Sequence, residues 1–230
     1  MVWAAHRVRI RIVEKHEREI SALNQRLMNA QEQERIHLAG ELHDGVMQEM
    51  LAATMMLGSA KRRMGSDAAA SATLEKIQDK LIRVGTDIRL LSHELHPPML
   101  QHMGLPQAVL SYCEQFSTTS GVAMSCDTDE NASDLSRGAA LALFRILQEA
   151  LGNTAKYAKA TRVVVRLSRT NGEVWLTVAD DGIGFDQGRG QSSGLGLITM
   201  RERANQLNGS FEFDSAPGRG TTIRIVIPFR

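Results

Sequence analysis

The 230-residue chain is 43% hydrophobic and 23% charged, with a formal net charge of +1, which suits a soluble globular protein with room for two modest domains. So even a charge balance excludes a fold steered toward polyanions, and no direct nucleic-acid binding is expected. No apolar run reaches the roughly eighteen residues that a spanning helix needs, so no membrane segment is expected, and residues 1–12 lack a signal-peptide core.

The N-terminal part is dense in helix formers. From Val8 to about Met64 it has no proline and only Gly40, Gly45 and Gly58. Ile10, Val13, Ile20 and Leu27 fall on a 3-4 spacing, with Glu17 and Asn24 as polar steps. This predicts a short, imperfect coiled coil over residues 1–30. The register continues less strictly through Ile36, Ala39, Leu42, Val46, Met50, Ala53 and Leu57. On the same helix His43, Asp44 and Gln48 set a nucleophile, a carboxylate and an amide along about two turns. Taken alone they are an ordinary polar helix face. Lys61-Arg62-Arg63, the one tight basic cluster, reads as a solvated helix end.

Gly65-Ser66-Asp67 predicts a break. A second amphipathic helix follows, carrying Leu74, Ile77, Leu81, Val84, Ile88, Leu91 and Leu95, and Pro97-Pro98 stops it. Two long helices joined by a short turn make an all-α helical hairpin over 31–100. Each helix of such a hairpin buries only one stripe, so pairing with a second copy as a dimeric four-helix bundle is expected. Met47, Met50, Met55 and Met56 suit adaptable core filling.

Residues 105–230 change to a mixed texture: a helix over 105–117, a strand over 122–126 and a helix from Leu135 to about Ala158. Strands Arg162–Arg169 and Glu173–Asp180 follow, joined by a turn at Asn171-Gly172. After the run from Gly188 to Gly194 come a helix over Leu195–Leu207 and a last hairpin of Ser210–Asp214 and Thr221–Pro228. Helices on one face of an antiparallel or mixed sheet predict an α/β sandwich. Cys113 and Cys126 form no CxxC pattern and read as reduced structural thiols, and no group of side chains has zinc-type spacing.

Four pieces of this second domain suit a nucleotide. Glu149 and Asn153 share one helix face, and an asparagine oxygen is a suitable hard ligand for Mg²⁺. Asp180 with Gly182 and Gly184 follows a strand; a carboxylate there can accept from an exocyclic amine while glycines let backbone approach a flat base. Gly194-Leu195-Gly196-Leu197 opens a helix whose free N–H groups suit phosphate. Gly218-Arg219-Gly220-Thr221-Thr222 brings hydroxyls into the last strand.

The order and spacing of Asn153, Asp180, Gly184, Gly194 and Gly196 resemble the boxes of the GHKL-type ATP-binding fold, shared by histidine kinases and DNA gyrase. With His43-Asp44-x-x-x-Gln48, Glu34-Arg35-Ile36-x-x-Ala39-x-Glu41-Leu42 and Leu91-Ser92-His93-Glu94-Leu95-His96-Pro97 added, residues 30–230 resemble bacterial sensor histidine kinases of the nitrate-sensor and desaturase-regulator type. Ser92-His93-Glu94-Leu95 also resembles the phosphoacceptor box of the larger kinase family. However, the prolines after His93 and its closeness to Asn153 leave no room for a second bundle helix. His37, His96 and His102 lack supporting partners.

The resemblance implies that His43 takes phosphate from Mg-ATP and passes it to an aspartate of a separate response-regulator receiver domain. It implies that Asp44 holds the imidazole or accepts its proton, and that Gln48 positions a water for phosphatase action toward that regulator. It further implies a homodimer, a catalytic ATP-binding domain over 105–230 and a hinge near 97–104. The cytoplasmic output half of a longer, membrane-anchored sensor is the expected setting. One departure stands out: the family usually has histidine where this chain has Tyr157, which can donate to phosphate without carrying positive charge, with Lys156 beside it to compensate. The competing expectation is a nucleotide-binding signalling scaffold without transfer activity.

Overall fold

A computed structural model describes residues 2–63, 68–95, 100, 103–186 and 194–229, in two compact units that divide between Pro98 and Met99. The expected break at Gly65-Ser66-Asp67, the Pro97-Pro98 stop, His96, His102 and most of the run from Gly188 to Gly194 lie outside these residues. The side chains of Ile10, Val13, Glu17, His43, Asp44 and His93 likewise lie outside what is described.

The first unit is helical. Helix α1 (Val2–Gly40) passes into a π-helical turn, Glu41–Val46, and then into α2 (Met47–Arg63); α3 (Ala68–Leu95) packs beside them. The turn is marked by the Met47 amide donating to the carbonyl of Leu42, five residues back. An extra residue in one turn shifts the phase of the apolar stripe. Ser92 of α3, itself buried, donates to the Ala39 carbonyl at 3.2 Å. Lys61 of α2 and Glu75 of α3 form an ion pair, and the lysine pulls the Glu75 carboxyl below its ordinary pKa. Met28 and Ala39 are buried, yet Ile20, Leu23, Leu27, Leu51, Met55 and Met56 remain more than half exposed.

The second unit is a two-layer sandwich. It contains α4 (Gly104–Ser120), β1 (Ala123–Thr128), α5 (Arg137–Asn153) with a π-helical turn Thr154–Ala158, β2 (Arg162–Thr170), β3 (Glu173–Asp180), α6 (Leu195–Gln206), β4 (Ser210–Ser215) and β5 (Thr221–Pro228). The five strands lie in the order β1-β2-β3-β5-β4, with β1 parallel to β2 and the other pairs antiparallel. Only the parallel pair needs a crossover, and α5 supplies it.

Alternation along the strands sends Val163, Val165 and Leu167, Val174, Leu176 and Val178, and Ile223, Ile225 and Ile227 to one face, all buried. Leu143, Ile146, Leu147 and Leu151 of α5 and Leu105, Val109 and Cys113 of α4 complete that core. Each such side chain contributes about 1.5–3 kcal/mol by leaving water. Local signals agree: Ser136 caps α5 by accepting from the Ala139 amide at 3.3 Å. Asn171 and Gly172 both adopt positive φ, 55° and 77°, as a tight hairpin turn requires. Cys113 and Cys126 are free thiols, the first buried; the hydrogen bond with the Cys126 sulfur, and then burial, push the Cys113 thiol well above its ordinary pKa.

Candidate functional site

A cavity of about 650 Å³ opens in the second unit between α5 with its π-helical turn, the end of β3, the segment after it, the start of α6 and the start of β5. Asn153, Tyr157, Asp180, Gly184, Gly194, Gly196, Leu197 and Thr221 line it. Of the other residues expected at a nucleotide site, Glu149 reaches the α6 start beside the cavity, its Oε1 facing Gly196. Gly182 packs under the turn against Ala158, and Lys156 is exposed away from the lining. Leu195 projects outward, 77% exposed. Thr222 alternates with Thr221 and Ile223, which places it on the opposite face of β5.

At one end of the cavity Asp180 Oδ1 accepts from the amides of Gly182 at 2.9 Å and Thr221 at 3.3 Å. Its Oδ2 has the Thr154 hydroxyl at 3.5 Å, and that hydroxyl donates to the Ala150 carbonyl at 3.1 Å. The carboxylate is therefore held by backbone on one oxygen and presents the other. Its neighbour Asp181 is turned outward. The Thr161 hydroxyl and the Arg162 and Thr161 amides bind Asp181, and the hydroxyl is the largest cause holding its carboxyl below the usual carboxylate range. Adjacent acidic residues thus divide into one that faces the cavity and one that pins β2 to the end of β3.

The walls are apolar: Ala150, Ala158, Val178, Ile183 and Ile223, with Phe185 at the rim stacked on Phe213 at 6.0 Å between ring centres. A hydrophobic slot ending in a carboxylate suits a flat, amine-bearing ring. None of these wall residues was expected at the site from the sequence, where each is one more core-like apolar residue. Thr154, Ser215 and Asp186 were also missed. Thr154 directly follows Asn153, and that adjacency was the only available signal. Among the described residues, no group of three or more His, Cys, Asp or Glu could hold a metal ion by itself.

In the first unit His43 and Asp44 lie within the π-helical turn and Gln48 is exposed in the first turn of α2. π-turns are rare and recur at functional positions. Among the described residues no helix is long and apolar enough to cross a membrane.

Two family profiles match the chain. Residues 34–100 match the family described as histidine kinase. Residues 138–230 match the family described as histidine kinase-, DNA gyrase B- and HSP90-like ATPase. The oxygen sensor histidine kinase NreB of Staphylococcus carnosus is 35% identical over 89% of this chain and 59% of its own length. The sensor histidine kinase MctS of Rhizobium johnstonii is 34% identical over 91% of this chain and 46% of its own. The signal transduction histidine-protein kinase/phosphatase DegS of Brevibacillus brevis is 32% identical over 92% and 55%.

The chain spans about half the length of these curated relatives. The histidine kinase domain of the blue-light activated kinase from Erythrobacter litoralis has the same fold, with a TM-score of 0.51 at 17% identity, over 79% of this chain and 94% of that one. A phosphoacceptor-helix domain followed by a GHKL-type ATPase domain defines a two-component kinase. The chain belongs to the sensor histidine kinase family of the GHKL superfamily.

Proposed function

We propose that this chain autophosphorylates on His43 from Mg-ATP and passes the phosphoryl group to an aspartate of a response-regulator receiver domain. The observation that carries the proposal is the convergence of Asn153, Asp180, Gly184, Gly194 and Gly196 on one cavity, in a chain whose residues 34–100 match the histidine kinase family. The Asp180 carboxylate takes the exocyclic amine of adenine in the apolar slot, and the α6 N-terminus lies at the phosphate end. Asn153 suits Mg²⁺ through its amide oxygen, as the one hard side-chain donor expected beside phosphate oxygens and waters, and the ion supplies charge neutralisation when bound.

Neutral imidazole of His43 forms a nitrogen–phosphorus bond as the bond from the γ-phosphorus to the ADP oxygen breaks, and Asp44 accepts the proton from the other ring nitrogen. Phosphoryl transfer needs little beyond positioning and charge stabilisation, which suits a nucleophile and a donor carried by separate domains. Gln48, exposed on α2, holds the water that removes phosphate from the regulator. The exposed stripe of the first unit pairs with a second copy, as a four-helix bundle requires.

Incubation with γ-labelled ATP tests this reading. Acid-labile, base-stable label on the wild-type chain, absent from His43→Gln, is the expected result. ATP binding without any label would instead support the scaffold reading, which Tyr157 favours: it stands at the rim of the cavity, 69% exposed, where a cation would be expected.

A further inference from the structure

The polar network behind Thr221 reaches beyond the cavity lining. Ser215, at the end of β4, is buried, 7% exposed, and does not line the cavity. Its Oγ accepts from the Phe185 amide at 3.0 Å, donates to the Gly220 carbonyl at 3.1 Å and lies 3.0 Å from the Thr221 hydroxyl. One side chain thereby joins the segment after β3, the β4–β5 turn and the first residue of β5.

A serine hydroxyl carries one proton. The Phe185 amide can only donate and the Gly220 carbonyl can only accept, so all three contacts form together only when the Ser215 proton goes to Gly220. In the remaining contact Thr221 must then be the donor. Its proton points back toward Ser215, and only oxygen lone pairs are left to face the cavity. At the neighbouring position Asp180 Oδ2 also accepts, while the Thr154 proton goes to the Ala150 carbonyl. Among the described residues, the polar end of the cavity is then an edge of acceptors with no side-chain donor.

We propose that Ser215 is a positioning residue that fixes the proton direction of Thr221, so that the cavity selects a purine bearing a 6-amino group over one bearing a 6-oxo group. This deepens, and rests on, the nucleotide reading above. An amine meets two acceptors there, whereas a carbonyl oxygen would face a carboxylate and a lone pair with nothing donated to it, which is costly once water is excluded. Removing the Ser215 hydroxyl releases the Thr221 proton, which can then turn into the cavity and serve a 6-oxo group.

The test is titration of the full 230-residue chain with ATP and with inosine triphosphate, which carries oxo in place of amine at C6 and an N–H in place of the lone pair at N1, so the change of their ratio between variants is the readout. The wild type is expected to prefer ATP, and Ser215→Ala is expected to cut the ATP-to-inosine-triphosphate affinity ratio about tenfold. In a Thr221→Val background, Ser215→Ala should leave the ratio where Thr221→Val alone sets it, because the effect passes through Thr221. If Ser215→Ala does not fold, Ser215→Cys, which keeps the volume but is a weak donor and acceptor, should lower the ratio in the same direction. Equal weakening of both nucleotides, an unchanged ratio, or a Ser215 effect that persists without the Thr221 hydroxyl would overturn the inference. A wild type that binds both equally would overturn only this inference. One that binds neither would remove the nucleotide reading with it.

Discussion

Gly196 sits where the first turn of α6 meets α5. A Cβ there would run into the Glu149 carboxylate and come within 3.1 Å of the Asn153 amide nitrogen. Gly184 is confined differently. It holds φ at 58°, and a Cβ would strike the Ala216 carbonyl, so both conformation and space demand glycine. Gly194, by contrast, has nothing among the described residues within 4 Å of where its Cβ would stand. Gly196→Ala must therefore push α6 away from Glu149 and Asn153, and ATP affinity should fall by about tenfold or more. Gly194→Ala should change it less. Calorimetric titration of both variants checks this, and equal losses would show that the contact with α5 is not what matters. The glycine positions themselves were legible in the sequence. Which of them is a steric necessity was not, because that depends on a neighbour tens of residues away.

At the scale of elements, each unit has a helix that leaves α geometry where function is proposed. The turn at Thr154–Ala158 follows Asn153 and carries Tyr157; the turn at Glu41–Val46 carries His43. In the sequence, the second had no signal of its own: the register is looser all the way from Ile36 to Leu57, and a straight helix accounts for that equally well. What distinguishes the two is a partner: Ser92, from the motif that imitates a phosphoacceptor box, donates to the Ala39 carbonyl just before the turn. Ser92→Ala removes that donor and leaves a buried carbonyl short of a partner, a cost of about 1–3 kcal/mol. The expected outcome is label on His43 reduced several-fold with ATP affinity unchanged, read by autophosphorylation and by titration. Weakened ATP binding in this variant would contradict the proposed division of labour.

For the whole molecule, each unit closes its core differently. The second buries a complete layer of aliphatics between one sheet face and the helices. The first buries little and leaves Leu51 57% and Met55 64% exposed, one turn apart on α2. An apolar stripe of that kind is what a partner copy would cover. Leu51→Glu combined with Met55→Glu should convert a dimer to a monomer in light scattering at micromolar concentration, while the second unit keeps its ATP affinity. A chain that is monomeric without these substitutions would sink the four-helix-bundle proposal.

Period and punctuation decided most of the architecture in advance. The 3-4 spacing up to Leu95, the alternation in β2, β3 and β5 and the Asn171-Gly172 turn each act through neighbours a few residues apart, so the chain alone determines them. The spaced glycines, Asn153 and Asp180 were likewise readable, because close backbone approach and charge leave few substitutes. The tertiary structure alone decided that Ser215 meets Thr221, what holds Asp181 outward, that Thr222 faces away, and where the helix carrying His43 changes pitch. Each of these depends on atoms brought together from distant positions, and hydrogen-bond direction is fixed only when every donor and acceptor around a buried group is in place.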